Sequence, residues 1–193
     1  MPQLIPLSLA LLKHKKLRFA TRKNIRGPKP FLDCLKHDQW SEIKKGVDAL
    51  VAKGIYQQQA PQYYWYRVIT EYHVFEGFLS GVRLENKSKV ISTHEAVLAE
   101  RVKLFSDYLS AVNRHAEPIL LMHEDAKFSK VMGDSIYLNT PDFDFREENE
   151  MHQLWVLTAA QAKDLESFAH NCEQFHLADG HHRLASTQQW GEK

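Results

Sequence analysis

Two aromatic-rich runs, YYWYRVI (residues 63–69) and VFEGFLSGVRL (residues 74–84), constrain the fold of this chain more than any other feature. Both are dense in aromatic and β-branched residues, which fit a pleated surface and lose rotamer freedom in a helix. Only a short polar gap separates them. A parallel pair would need a long crossover, so the two runs are expected to fold back as an antiparallel hairpin. An isolated hairpin is marginal in water, so the remaining chain has to extend and cover it.

The material for that cover is visible on both sides. From His37 to Gly54, the residues Trp40, Ile43, Val47, Leu50 and Val51 fall at helical spacing, with Gly54 as the stop. Leu98, Val102, Phe105, Leu109 and Val112 make a second apolar stripe, and Ser92 with Glu95 matches a capping box ahead of it. EPILLM (residues 117–122) reads as a buried strand, because a continuous apolar run suits a covered sheet. Residues 124–150, with Gly133, Pro141 and many acids, read as loop. HQLWVLT (152–158) alternates as a strand, and Thr158 with Gln161 matches a capping box for a helix to about His170. A short strand over 174–177 follows. The polar NKSK at 86–89 is the candidate boundary between an N-terminal α+β region (1–88) and a C-terminal region (89–193), with one compact unit as the alternative.

Composition narrows the function classes. With 193 residues, 44% hydrophobic and 25% charged, the chain can bury a sizeable core as an ordinary globular protein. A formal charge of +1 argues against a polyanionic partner, so no nucleic acid is expected, and the basic stretch 13–26 reads as a solvated segment. Cys34 and Cys172 have no metal-ligand spacing, which points to a reducing compartment and a cytoplasmic protein. The apolar run 4–12 is too short to span a bilayer, and its basic residues follow it, the reverse of a secretory signal. No metal is expected to be held by side chains alone: His94-Glu95 lacks the second histidine of a metalloprotease helix, and His123, His181 and His182 have no thiolate pairs beside them.

One segment carries chemistry. In FHLADGHHRLAS (175–186) a strand meets a glycine turn and then a helix start. The first N–H groups of a helix have no internal acceptor, and the dipole places partial positive charge there. Gly180 lets backbone approach an anion, Arg183 offers a two-pronged donor, and His181 and His182 add further donors. Asp179 can orient a histidine or help to hold Mg2+. The alternative is that Asp179 simply caps a helix over 183–189.

LADGHHRLAS closely resembles the ADGHHR signature of the family called domain of unknown function 1015 (DUF1015). YYWYRV with EGFLSGV, STHEAVLAERVKLF, NRHAEPILLMHED and MHQLWVL resemble further segments of that family, in the same order, from about Pro61 to the end. The family is in turn similar to the ParB/sulfiredoxin superfamily, whose nearest characterised members phosphorylate free L-serine from ADP or ATP. The resemblance therefore implies an α+β fold: an N-terminal helix and antiparallel hairpin, then a ParB/sulfiredoxin-like α/β core. It implies a small-molecule kinase in which Gly180, His181, His182 and Arg183 hold nucleotide phosphates, with ADP or ATP and Mg2+ as the reagents. The acceptor would be a serine-like hydroxyl compound touched by His94. Its proton would pass to a carboxylate, with Glu95, Asp179 and His182 as the catalytic set. The non-catalytic alternatives are a nucleotide-binding regulatory module or an inactive member of the family. A capping-box role explains Glu95 without catalysis. His152, which matches a family histidine, is expected to sit at a sheet end rather than on a ligand. Family members continue past the motif with further strands, so a chain ending at Lys193 is expected to be a shortened form, a fragment, or one completed by a partner copy.

Overall fold

The computed structural model describes residues 4–5, 10–12, 40–84, 91–115, 117–147 and 149–191. Cys34, the basic stretch 13–26 and the NKSK boundary lie outside the described residues. In chain order the elements are β1 (Leu4–Ile5), β2 (Ala10–Leu12), α1 (Trp40–Ala52), β3 (Tyr56–Gln58), β4 (Tyr64–Ile69), β5 (Val74–Leu79), β6 (Gly81–Val82), β7 (Ile91–Ser92), α2 (Ala99–Val112), β8 (Leu120–Met122), α3 (Ala126–Ile136), β9 (Phe143–Glu147), β10 (Glu150–Val156), α4 (Ala159–Asn171), β11 (Phe175–Asp179) and α5 (His181–Gly191). This is an α+β protein, with an N-terminal helix ahead of an antiparallel hairpin. The elements form two compact units, each drawn from three stretches of chain. Unit 1 takes Met1–Leu17, Gln57–Val90 and His123–Phe175; unit 2 takes Arg18–Tyr56, Ile91–Met122 and His176–Lys193. These units cut across the expected halves 1–88 and 89–193.

Unit 1 is built on the hairpin. β4 pairs antiparallel with β5 from Tyr64↔Leu79 to Ile69↔Val74, and β10 adds on the other side with Trp155 opposite Trp65. β9 completes the order β5-β4-β10-β9. Trp65, Trp155 and Leu157 bury against Met132 and Ile136 of α3 and Leu165 and Ala169 of α4. Burial of side chains this large contributes about 1.5–3 kcal/mol each. Their polar ends are satisfied: Trp65 Nε1 donates to the Tyr137 hydroxyl at 3.1 Å, and Trp155 Nε1 to the Asn139 carbonyl at 3.0 Å. Tyr137 in turn donates to Glu76, and burial with that bond pushes its pKa up to about 12, so the hydroxyl remains a donor. His152 accepts or donates at Tyr66 Oη (2.7 Å) and stacks on Phe145 with ring centroids 4.6 Å apart, which makes it a sheet histidine. The α4 capping box is formed in full by Thr158 and Gln161.

The expected loop over 124–150 is corrected. It holds helix α3 and strand β9. Asp125 caps α3 by accepting from the Phe128 N–H at 3.0 Å, and Phe128, Met132 and Ile136, four residues apart, form its inward face. Gly133 and the acids disguise that face. The glycine is there for packing: a Cβ at Gly133 would lie 3.1 Å from the Tyr137 ring.

Unit 2 carries the sheet β7-β11-β8 with helices α1, α2 and α5. Trp40, Tyr108, Leu109 and Val112 form its core, with Trp190 of α5 packed against them. Asn113 ends α2 in the left-handed region at φ 54°, giving its N–H to the Leu109 carbonyl. The strand expected over 117–122 shortens to β8 and is not buried as expected. Leu120 and Met122 are exposed, and β8 is an edge strand of the sheet β7-β11-β8, so a continuous apolar run here does not mark a covered strand.

Candidate functional site

The chemistry-bearing motif lies wholly in unit 2, where β11 ends at Asp179, Gly180 turns the chain and α5 begins at His181. The helix thus starts two residues before the expected position. Gly180 has φ +100°, a conformation that costs other residues about 1–2 kcal/mol. A Cβ there would meet Ile119 Cγ2 at 2.6 Å and Arg183 Nε at 3.1 Å. Glycine is therefore required twice over, by backbone and by space. The Gly180 carbonyl accepts from the Leu184 N–H at 2.8 Å, which closes the first turn. The N–H groups of His181, His182 and Arg183 stand in the positions that have no acceptor within the helix.

The side chains expected to grip phosphate are each engaged within the protein. Arg183 Nη1 donates to Glu117 Oε2 at 2.7 Å, and Nη2 donates to Asp179. One guanidinium thus faces two carboxylates. Asp179 accepts from Arg183 at the start of the helix. His182 Nε2 accepts from the Leu98 N–H at 3.1 Å, so this ring keeps only Nδ1 for a further donor. His181 is 6% exposed; its Nδ1 lies 3.3 Å from Glu95 Oε2, and its Nε2 is buried with no hydrogen-bond partner among the described residues. The His94 ring meets His181 edge-on, with centroids 4.6 Å apart. His94 and Glu95 are both exposed.

The capping box expected from Ser92 and Glu95 is corrected. Ser92 closes β7, and α2 begins only at Ala99, with Leu98 as a cap residue that makes no side-chain bond. The segment between is spent on the site: Glu95 reaches His181, and the Leu98 N–H goes to His182. Local spacing alone gave the capping reading; the partners sit more than eighty positions away in the chain.

Glu117 is the residue that sequence reasoning left out of the site. The signal was present in the EPI segment, since Ile119 seals Gly180 and Glu117 reaches Arg183. Among the described residues, no group of three or more His, Cys, Asp or Glu side chains could hold a metal ion. Mg2+ is bound by one or two carboxylates together with substrate phosphates, and Asp179 and Glu117 fit that donor set only by leaving Arg183.

This is an α+β protein whose glycine-turned helix start carries three histidines, an arginine and three carboxylates. The family model described as a protein of unknown function (DUF1015) matches residues 24–193, and the chain belongs to that family. The match begins well before Pro61 and takes in α1. No curated protein and no solved structure matches the chain. Among the described residues, no helix is long and apolar enough to cross a membrane.

Proposed function

We propose that unit 2 binds the terminal phosphates of ADP or ATP on the Asp179–Arg183 turn and passes a phosphoryl group to a serine-like hydroxyl compound. The observation that carries this reading is Gly180, held at φ +100° against Ile119 at the mouth of α5 with Arg183 in the first turn. A side chain at that position is excluded where a backbone cradle for an anion needs none. The resemblance to the ParB/sulfiredoxin-like serine kinases supplies the donor and the acceptor class.

The roles follow from position. Backbone N–H groups of α5 and Arg183 take the phosphate oxygens, and His182 offers Nδ1. The acceptor oxygen forms a bond to the terminal phosphorus as the bond to the bridging oxygen breaks, and the diphosphate or monophosphate nucleotide leaves. Glu95, exposed beside the exposed His94, takes the hydroxyl proton. The second reading is nucleotide binding without transfer, in which the turn serves as a sensor. The engagement of Arg183 with two carboxylates favours it, because a resting site closed on itself is suited to signalling occupancy.

The test is thermal stabilisation by millimolar ADP or ATP, followed by mass spectrometry for phosphoserine. Nucleotide is expected to raise the Tm, and Arg183→Ala to abolish the shift. Absence of any nucleotide-dependent shift in the native chain and in variants with an opened site overturns the proposal. A shift without phosphoserine selects the sensor.

A further inference from the structure

Arg183 already holds an anion. The Glu117 carboxylate lies 2.7 Å from its Nη1, arriving from the segment that leads into β8, while Asp179 holds Nη2 from the end of β11. A guanidinium presents its fork to a carboxylate and to a phosphate in the same planar geometry, so the two anions compete for one place. We infer that Glu117 is an internal competitor, a carboxylate seated on Arg183 where the phosphate of a ligand would sit, which sets how highly charged an anion must be to enter. This inference rests on the phosphate reading of the turn given above.

The two carboxylates are not equivalent. Asp179 lies four residues before Arg183 on the same strand-to-helix turn. Glu117 comes from a separate segment and its side chain is 44% exposed, so it can swing into water at the cost of a half-exposed ion pair, which is small. Its backbone need not follow, because Ile119 two residues on is packed at Gly180. An independent sign of a ligand in this turn is His181, 6% exposed, with its Nε2 lacking a partner among the described residues.

Competition has a consequence of definite sign. A ligand binds only to the fraction of molecules in which Glu117 has left Arg183, so its apparent affinity is reduced by that fraction. A monoanion gains too little from Arg183 to displace a carboxylate, whereas a pyrophosphate group brings more charge and more oxygens. The intact site is thereby selective for polyphosphate over inorganic phosphate. A purely structural Glu117, holding Arg183 in its working orientation, predicts the opposite response to removal.

The experiment is isothermal titration of the 193-residue chain with ADP, inorganic pyrophosphate and inorganic phosphate at fixed ionic strength. The native chain is compared with Glu117→Gln, Arg183→Ala and, as a control, Glu42→Gln, an exposed α1 carboxylate paired with Lys45 rather than with Arg183. Circular dichroism confirms that each variant is folded. Glu117→Gln is expected to tighten ADP about two- to fivefold, the effect of a half-exposed ion pair, and to tighten phosphate at least as much. Glu42→Gln is expected to change nothing. If ADP binds the native chain and Arg183→Ala removes it, but Glu117→Gln binds no tighter or more weakly, Glu117 is a scaffold and the inference is overturned while the phosphate reading stands. If neither the native chain nor Glu117→Gln binds any of the three anions, the phosphate reading falls and the inference with it. Binding seen only in Glu117→Gln is the strongest outcome in favour, because the competitor alone then keeps the site shut.

Discussion

At the scale of single residues, two histidines show how surroundings decide chemistry. His181 sits in unit 2 against Glu95 with one nitrogen unpartnered among the described residues. His123 sits in unit 1 among the rings of Phe78, Phe128, Phe168 and Phe175, its Nδ1 accepting the Asp125 N–H at 3.2 Å. Burial lowers the His123 pKa below its ordinary value, and the nearby Asp125 only partly offsets this. A depressed folded-state pKa means that the neutral form stabilises the fold above the unfolded value of about 6.5 and that this contribution is lost as pH falls below it. Unit 1 is therefore expected to lose stability as the pH is lowered through this range. His123→Gln, which keeps a polar group but cannot titrate there, should flatten that part of the profile in urea titrations between pH 7 and pH 5; an unchanged slope would refute the assignment.

The motif itself was legible at this scale, because Gly180 and Arg183 announce a strained turn and a fixed cation by type alone. Which partners those side chains find was not. Glu95 met a local capping pattern perfectly and yet reaches across the chain to His181, since a side chain answers to neighbours in space that spacing does not encode. Glu117 passed unnoticed for the same reason. Its only local mark was the proline that follows it.

At the scale of elements, the strong periodicities were reliable and the mixed ones were not. The hairpin, α2 and α4 each carry one dominant signal: aromatic and branched runs, an apolar stripe, a capping box. In helix α3, Gly133 and scattered acids mask three inward apolar residues, so the local pattern predicts loop where a helix forms. The α4 box makes a clean test of how much such a local signal is worth. Thr158 accepts the Gln161 N–H at 3.3 Å, and the Gln161 side chain returns a contact to the Thr158 N–H at 3.0 Å. Thr158→Ala should cost about 1 kcal/mol, measured by urea denaturation. Thr158→Ser, which keeps the hydroxyl, should recover most of it. The shortened strand β8 shows the converse: a continuous apolar run predicts burial, yet Leu120 and Met122 are exposed.

At the scale of the whole molecule, each unit is assembled from three separated stretches, so neither can be cut out as one continuous segment. No pattern of composition marked this, because the polar NKSK at 86–89 resembles a linker and the interleaving leaves no signature in local sequence. Unit 2 depends on its last stretch most heavily. β11 is the middle strand of β7-β11-β8, and α5 packs against α2. A chain ending at Gln174 is expected to lose amide protection throughout α2 in hydrogen exchange, while the β4–β5 hairpin keeps a larger share of its own. Equal protection of α2 in the full and shortened chains would contradict this account.

The middle position of β11 also has a meaning for biosynthesis. Strands β7 and β8 leave the ribosome well before the residues that join them, and each must wait with an open hydrogen-bonding edge until residues 175–179 arrive. Those same residues lead directly into the turn that bears Arg183. The sheet and the Arg183-bearing turn are thus completed together, so a nascent chain has neither before residues 175–183 are made.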